Sequence, residues 1–123
     1  MNPPVFRSVM PSLPVSDIDR AVAFYRDTLG FSLDFRNGSN FVIFARDGVQ
    51  LGLVAVGVSN VPAGLGRCYC KLSSGIDSLY SDYRSRNVRV LHELRDESYG
   101  MREFMIADLD RNEINFGQVI PQD

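Results

Sequence analysis

Few side chains in this sequence could carry out acid–base or nucleophilic chemistry. His92 is the one histidine, and Cys68 and Cys70 are the two cysteines, separated by a single residue. On a strand that spacing puts both thiols on one face, where a disulfide between them has poor geometry. A nucleophilic cysteine also needs a nearby base, and none is visible. We therefore predict no catalytic residue, and interpret the cysteines as buried free thiols and His92 as a surface or hydrogen-bonded side chain.

Composition predicts a single globular domain over residues 1–123. Hydrophobic residues make up 45% of the chain and charged residues 23%, which is ordinary for a soluble protein. The formal net charge is −2, and the absence of a basic stripe argues against nucleic-acid binding. No apolar run approaches the length of a membrane span, and the first residues lack the pattern of a signal peptide. We expect a cytoplasmic protein with no nucleic-acid or membrane partner.

The helices that would position any site come as a repeat. Residues 16–26 read SDIDRAVAFYR and residues 74–84 read SGIDSLYSDYR, with five of the eleven aligned positions identical. Both segments show helical spacing of apolar residues, and Ser16 and Ser74 are suitable N-caps. Gly30 and Asn87 stand where a helix ends in the left-handed conformation. The repeat predicts two similar modules in one domain.

Strand patterns surround both helices in the same order. Asn37-Gly38 and Asp47-Gly48 are strong hairpin signals between apolar runs. Each module therefore reads as βαβββ, over about residues 5–56 and 67–119, which predicts an α+β fold with helices on the outer face of cup-shaped mixed sheets. The concave faces would form a small-molecule pocket. The predicted strands are 6–13, 31–36, 41–46, 49–56, 67–72, 88–94, 102–107 and 113–119.

Two segments resemble a known family. They are VMPSLPVSDIDRAVAFYRDTLGFSLDF at residues 9–35 and YGMREFMIADLDRNEINF at residues 99–116. With the paired modules, they make the chain similar to the glyoxalase/bleomycin-resistance proteins of the vicinal oxygen chelate superfamily. The resemblance implies half-barrel cups and a homodimer, with strand exchange between protomers left open. It also implies either a metal enzyme or an antibiotic-resistance protein that binds a drug without chemistry.

The resemblance places the family's metal-ligand positions at Met10, Gly52, Tyr69 and Asn115. Divalent metals in such sites are held by imidazole and carboxylate groups, which none of these four residues supplies. The prediction is a cup with no metal and no cofactor. Glu113, on the same predicted face as Asn115, and His92 remain the alternative ligands of a relocated site, but an ion-paired Glu113 is the simpler interpretation.

Without a metal, the cup would bind by shape, stacking and hydrogen bonds. Tyr69 and Tyr99 are the preferred contacts, since an aromatic pair adds about 0.5–1.5 kcal/mol beyond burial. Core packing or a dimer contact stays open for each strand aromatic, and an ion pair with Glu97 or Glu103 stays open for Arg102. The predicted ligand-binding residues are Met10, Phe35, Phe41, Tyr69, Tyr99, Arg102, Phe104 and Asn115.

The predicted function is sequestration of a small planar or aromatic drug or toxin, as in the bleomycin-resistance proteins that the chain resembles. The alternative is a metal-dependent lyase, dioxygenase or thiol transferase of the same superfamily.

Overall fold

Two βαβββ modules form the fold, as the repeat predicted. The computed structural model describes residues 2–121, and over that range the α+β architecture is confirmed. In the first module the elements are β1 (Ser12–Val15), α1 (Ile18–Ala23) followed by a π-helical turn (Phe24–Thr28), β2 (Ser32–Asn37), β3 (Phe41–Arg46) and β4 (Val49–Ala55). In the second they are β5 (Arg67–Leu72), α2 (Ile76–Ser85), β6 (Arg89–Asp96), β7 (Met101–Ala107) and β8 (Glu113–Val119).

Each module builds one mixed sheet with the same topology. The strand orders are β1-β4-β3-β2 and β5-β8-β7-β6. The first strand of each module runs parallel to the last, and the other neighbours are antiparallel. Because opposite residues in a pair share a face, these registers decide which side chains meet on the concave side.

The first strand is much shorter than the apolar pattern predicted. The expected strand over residues 6–13 is wrong for residues 6–11, since β1 begins at Ser12 and Val9 is 90% exposed. Ser12 pairs with Gly52, so residues before Val9 would lie beyond Val49, where β4 begins. Within residues 2–121 no strand lies there to pair with them, and residues 2–9 are exposed.

Both helices begin one residue later than predicted. For α1 the cap is Asp17, whose Oδ1 accepts a hydrogen bond from the Arg20 amide at 3.1 Å. For α2 the cap residue is Gly75, which has no side chain, and the Oε1 of Gln118 accepts the bond from the Ile76 amide instead at 3.0 Å. Ser16 and Ser74 are therefore not the caps, because a nearer carboxylate and a neighbouring strand satisfy the amides.

Alternating apolar residues of the strands form the core. Leucines of β1 and β4 and apolar residues of β8 are almost completely buried under the helices. Gly30 and Asn87 follow the helices with φ of 80° and 60°, the left-handed conformation that their sequence positions predicted. The buried residues from these strands are Leu13, Leu51, Leu53, Ile114 and Phe116.

The tyrosine retained in both copies of the repeat joins the two modules. The Tyr25 hydroxyl donates to Asp108 Oδ2 at 2.8 Å, and the Tyr83 hydroxyl donates to the Leu29 carbonyl at 2.7 Å. Both rings are buried. Burial and the neighbouring Asp108 carboxylate raise the pKa of Tyr25, so the phenol stays a donor. Two buried hydrogen bonds, one in each direction, therefore hold the sheets in one body.

A long turn closes one side of the junction between the modules. Asn112, between β7 and β8, is fully buried; its amide nitrogen donates to the Pro14 carbonyl at 2.7 Å and its oxygen accepts from the Gly66 amide at 2.9 Å. This fixes the start of β5 against β1 and leaves both concave faces open to the outside.

None of the helices within residues 2–121 combines the length and apolar character required to cross a bilayer.

Candidate functional site

The concave face of the first sheet is centred on Gly52. A Cβ atom at that position would lie 3.1 Å from Cε1 of Phe41 and 3.3 Å from Cε of Met10. Phe35 pairs with Ile43, which in turn pairs with Gly52, so Phe35 lies on this face as well and is 52% exposed. The structure thus brings the predicted site residues Met10, Phe35 and Phe41 together around Gly52, and their contact with a ligand stays a prediction.

The concave face of the second sheet carries a carboxylate between two phenols. Glu103 on β7 is only 7% exposed. The Tyr69 hydroxyl donates to its Oε2 at 2.5 Å, and the Tyr99 hydroxyl donates to its Oε1. Tyr69 is 40% exposed and Tyr99 is 65% exposed, so both rings present a face outward while their hydroxyl groups are held.

Glycine at position 117 makes room for this arrangement. Gly117 is on β8, where it pairs with Glu103 of β7, and the side chain of Tyr69 from β5 lies against it. A Cβ at position 117 would lie 1.8 Å from the Tyr69 hydroxyl oxygen. Any larger residue would push the phenol off the strand. Gly117 therefore allows Tyr69 to lie across β8 with its hydroxyl at Glu103.

Asn115 completes this face with an unpaired acceptor. It lies opposite Tyr69 on one side and Met105 on the other. Among residues 2–121, its Oδ1 is the one buried side-chain nitrogen or oxygen with no hydrogen-bond partner. Asn115, Tyr99 and Glu103 line a cavity of about 200 Å³, with His92, Arg95, Glu97, Phe104 and Met105 completing its wall. The cavity combines aromatic surface with two oxygen-bearing groups that can accept hydrogen bonds.

Two predicted ligand contacts are corrected by the structure. Phe104 is 1% exposed and stacks on Phe116, with ring centroids 5.2 Å apart, so it belongs to the core under α2. The guanidinium of Arg102 binds Asp77 of α2 at 2.7 Å and Asp96 at 3.0 Å. Because side chains alternate along a strand, Arg102 and Phe104 share the helix side of β7 and Glu103 takes the concave side.

The surface ion pair left open for Arg102 is present, with Asp77 and Asp96 in place of Glu97 or Glu103. Glu97 instead pairs with Arg95 at 2.6 Å, and Glu103 accepts from the two phenols. Glu113 pairs with Arg67 at 3.7 Å, which confirms the ion-paired interpretation of that residue. His92 is exposed at the edge of the cavity, which confirms its surface interpretation.

The metal-ligand positions fall two on each sheet. Met10 and Gly52 meet on the first concave face, and Tyr69 pairs with Asn115 on the second. No group of three or more His, Cys, Asp and Glu side chains able to hold a metal occurs within residues 2–121.

The cysteines are free: Cys70 is buried and Cys68 is partly buried. A hydrogen bond with Cys68, together with burial, raises the pKa of the Cys70 thiol, which keeps it unreactive.

The sequence prediction missed Glu103 as a site residue. Its signal was present in the run Arg102-Glu103-Phe104-Met105-Ile106, where Phe104 and Ile106 fit the core face and Glu103 must then point the other way. A shift of one residue in that assignment exchanges the two faces of the strand.

Comparison with known proteins establishes the family. The model of the Glyoxalase/Bleomycin resistance protein/Dioxygenase superfamily matches residues 7–116. A bleomycin resistance protein from Geobacillus stearothermophilus is 30% identical over 130 residues, which cover 90% of this chain and 96% of the relative. The chain belongs to this superfamily, as its two characteristic segments predicted.

Solved structures share the fold over nearly the whole chain. TnmS3, an antibiotic binding protein from Streptomyces sp. CB03234, has a TM-score of 0.80 and 27% identity, covering 96% of this chain and 99% of that one. The bleomycin-binding protein of bleomycin-producing Streptomyces verticillus, solved with copper(II)-bleomycin, has a TM-score of 0.77 and 22% identity, covering 96% and 98%. The latter likeness is one of fold.

Proposed function

We propose that this protein binds and sequesters a small aromatic drug or toxin on its concave faces and performs no chemistry on it. Two observations together carry the proposal. Aromatic side chains line both concave faces, and the family's metal-ligand positions on those faces are occupied by Met10, Gly52, Tyr69 and Asn115. Rings, a thioether and an amide suit stacking and hydrogen bonding with a planar molecule. The bleomycin resistance relative at 30% identity and TnmS3 support the same function.

The proposal is tested by isothermal titration of the purified protein against bleomycin and a panel of planar antibiotics. We expect saturable binding without added metal, weakened by Tyr99→Ala in the second cup. Leu109→Ala is the matched control, because it truncates an exposed apolar side chain in the β7–β8 turn. The absence of binding across the panel, or equal loss in both variants, would count against sequestration. Tight binding of a divalent metal with turnover of a substrate would favour the lyase, dioxygenase or transferase alternative.

A homodimer is part of the proposed function. Its support is the exposed apolar surface of the single chain: Val5, Phe6 and Val9 are 89–94% exposed, and Phe35 is 52% exposed on an open concave face. Surface of this kind is covered by another molecule in a stable protein. A second copy of the chain can cover the open face and receive the extended residues 2–9, with or without exchange of a strand.

Sedimentation over a range of concentrations tests the dimer. We expect a dimer for the native sequence and dissociation on dilution for Phe6→Ser with Val9→Ser. Val58→Ser is the control, since Val58 is 55% exposed in the loop between the modules. A monomer at all concentrations would refute this part of the proposal.

We also propose a cytoplasmic location. Two free cysteines, one of them buried, are typical of a reducing compartment. Cell fractionation with an antibody to the protein tests the location.

A further inference from the structure

The Glu103 carboxylate is buried, and among residues 2–121 no cationic side chain forms an ion pair with it at contact distance. It is 7% exposed, and it takes part in none of the ion pairs formed by residues 2–121. Its two hydrogen-bond donors, Tyr69 and Tyr99, are neutral phenols. Removing a carboxylate from water without pairing its charge is costly, so a negative charge at this depth is usually matched by a cation.

One positive charge is shared between this carboxylate and a second one. Arg95 lies opposite Glu103 in the β6–β7 register and interacts with it electrostatically, but its guanidinium is held by Glu97 at 2.6 Å, so these three side chains together carry one uncompensated negative charge. The hydrogen bond to Glu103 raises the pKa of Tyr99 to about 12, and burial with the same carboxylate raises the pKa of Tyr69 above its usual value. Both phenols therefore remain neutral donors at physiological pH, and neither adds a second negative charge.

A second group on the cavity wall lacks a hydrogen-bond donor. The buried Oδ1 of Asn115 accepts no hydrogen bond. An unpaired buried acceptor is unfavourable by itself, and a ligand that donates N–H groups would satisfy it. Carboxylate and amide oxygen line one cavity of about 200 Å³, whose size suits a single small ring bearing a polar group.

We infer that the second cup selects ligands carrying a cationic N–H donor group on a planar ring, such as an amidinium, a guanidinium or a protonated aromatic amine. Glu103 is the counter-ion and specificity-determining residue, and Asn115 Oδ1 is the second acceptor. Tyr69 and Tyr99 hold the carboxylate in place, and Tyr99, which lines the cavity, offers its ring face to the cation. The inference rests on the proposed small-molecule binding function and adds the chemical class of the ligand.

The test compares two ring compounds of nearly equal size and shape, benzamidine and benzamide, which differ in charge at neutral pH. Their binding to the full-length protein is measured by ligand-observed NMR and titration calorimetry, with bleomycin as a third ligand. The variants are Glu103→Gln, which removes the charge while keeping the shape, and Glu103→Asp, which keeps the charge. Glu93→Gln is the matched control, because that side chain is 82% exposed on β6. Thermal melting of each variant verifies folding.

For the native protein we expect benzamidine to bind at least about tenfold more tightly than benzamide, as a charge-assisted hydrogen bond in a shielded site implies. Glu103→Gln should abolish this preference by weakening benzamidine alone, while Glu103→Asp retains part of it and Glu93→Gln retains all of it. Equal binding of the two compounds, or a preference unchanged in Glu103→Gln, overturns the inference; if bleomycin still binds, the proposed function survives. Failure to bind all three ligands overturns both. Should Glu103→Gln fail to fold, Glu103→Asp carries the test, and an undiminished preference for benzamidine in that variant would overturn the inference, because the shorter side chain withdraws the carboxylate.

Discussion

Gly117→Ala is the most specific test of the second cup. The backbone at this position can hold an alanine, but the new methyl group would collide with the side chain of Tyr69. Gly117 lies within β8 and has no positive φ, so alanine is compatible with its conformation. The new Cβ would lie 1.8 Å from the Tyr69 hydroxyl oxygen and 2.5 Å from Cζ. Ordinary contact begins near 3.4 Å, so the hydroxyl has to move by about 1.6 Å. That movement breaks the 2.5 Å hydrogen bond to Glu103.

The magnitude follows from that broken bond. A hydrogen bond to a charged group contributes about 1.5–3 kcal/mol, and the lower half of that range applies because Tyr69 is 40% exposed. Replacing glycine by alanine in a strand returns roughly 0.5–1 kcal/mol. We expect a net loss of about 1 kcal/mol, or roughly 3–5 °C in the melting temperature.

The assay is an alkaline titration of phenolate absorbance combined with urea unfolding. Burial and the Glu103 carboxylate raise the pKa of Tyr69 above its usual value of 10, so a released Tyr69 should titrate near pH 10 in the variant. Because the interaction raises the folded-state pKa of Tyr69, its full contribution to stability is present below pH 10. That contribution is lost as the pH rises above 10. The stability deficit of the variant should therefore be constant below pH 10 and shrink above it.

Gly48→Ala is the control, because a Cβ there would meet no atom within 4 Å and the position has no positive φ. Identical titration curves for Gly117→Ala, Gly48→Ala and the native protein would refute the stated geometry, as would an increase in stability of the Gly117 variant.

Three further predictions concern the junction, the first cup and the corrected arginine. Tyr25→Phe should cost about 1.5–3 kcal/mol of unfolding free energy and Tyr83→Phe about 0.5–1.5 kcal/mol, because Tyr25 donates to a buried carboxylate whereas Tyr83 donates to a neutral backbone carbonyl; equal losses in urea unfolding would contradict this order. Gly52→Ala should reduce ligand binding at the first cup, because its Cβ would lie 3.1–3.3 Å from side-chain atoms of Phe41, Ser12 and Met10. Those atoms can move, so the stability should change by less than about 1.5 kcal/mol. Titration calorimetry measures the binding, and an unchanged affinity would contradict the prediction. Arg102→Ala should leave ligand affinity unaltered and change stability by about 0–1 kcal/mol, because its ion pairs with Asp77 and Asp96 are at the surface; a tenfold loss of affinity would restore the ligand contact first expected for it.

The repeat and the local patterns made the fold predictable, whereas contacts between distant segments did not show in the sequence. The hairpin dipeptides and the core alternation of β4 and β8 are local, and the predicted bounds of β3, β5 and β8 match the structure. The bond from Gln118 to the first turn of α2 joins residues 42 positions apart, so no local signal could replace Ser74 as the expected cap. The length of β1 likewise depends on where β4 begins.

The site was predictable only in part, for the same physical reason. The concave orientation of Tyr69 and Asn115 could be predicted because the residues next to them in the sequence are core residues. The structure places both on the concave face. On β7, by contrast, Arg102 and Phe104 were chosen for their chemistry, although the alternation with Ile106 assigns them to the core side. Glu103 gains its significance from two phenols and a glycine on other strands, which a single sequence does not bring together.

The two tyrosines of the repeat donate across the junction in opposite directions, each to an acceptor in the other half. The acceptors differ: one is a carboxylate in the turn between β7 and β8, and the other is a backbone carbonyl that follows the first helix. Because one chain carries both halves, their association is intramolecular and does not depend on protein concentration. The junction should therefore persist at dilutions at which any contact between separate copies of the chain is lost.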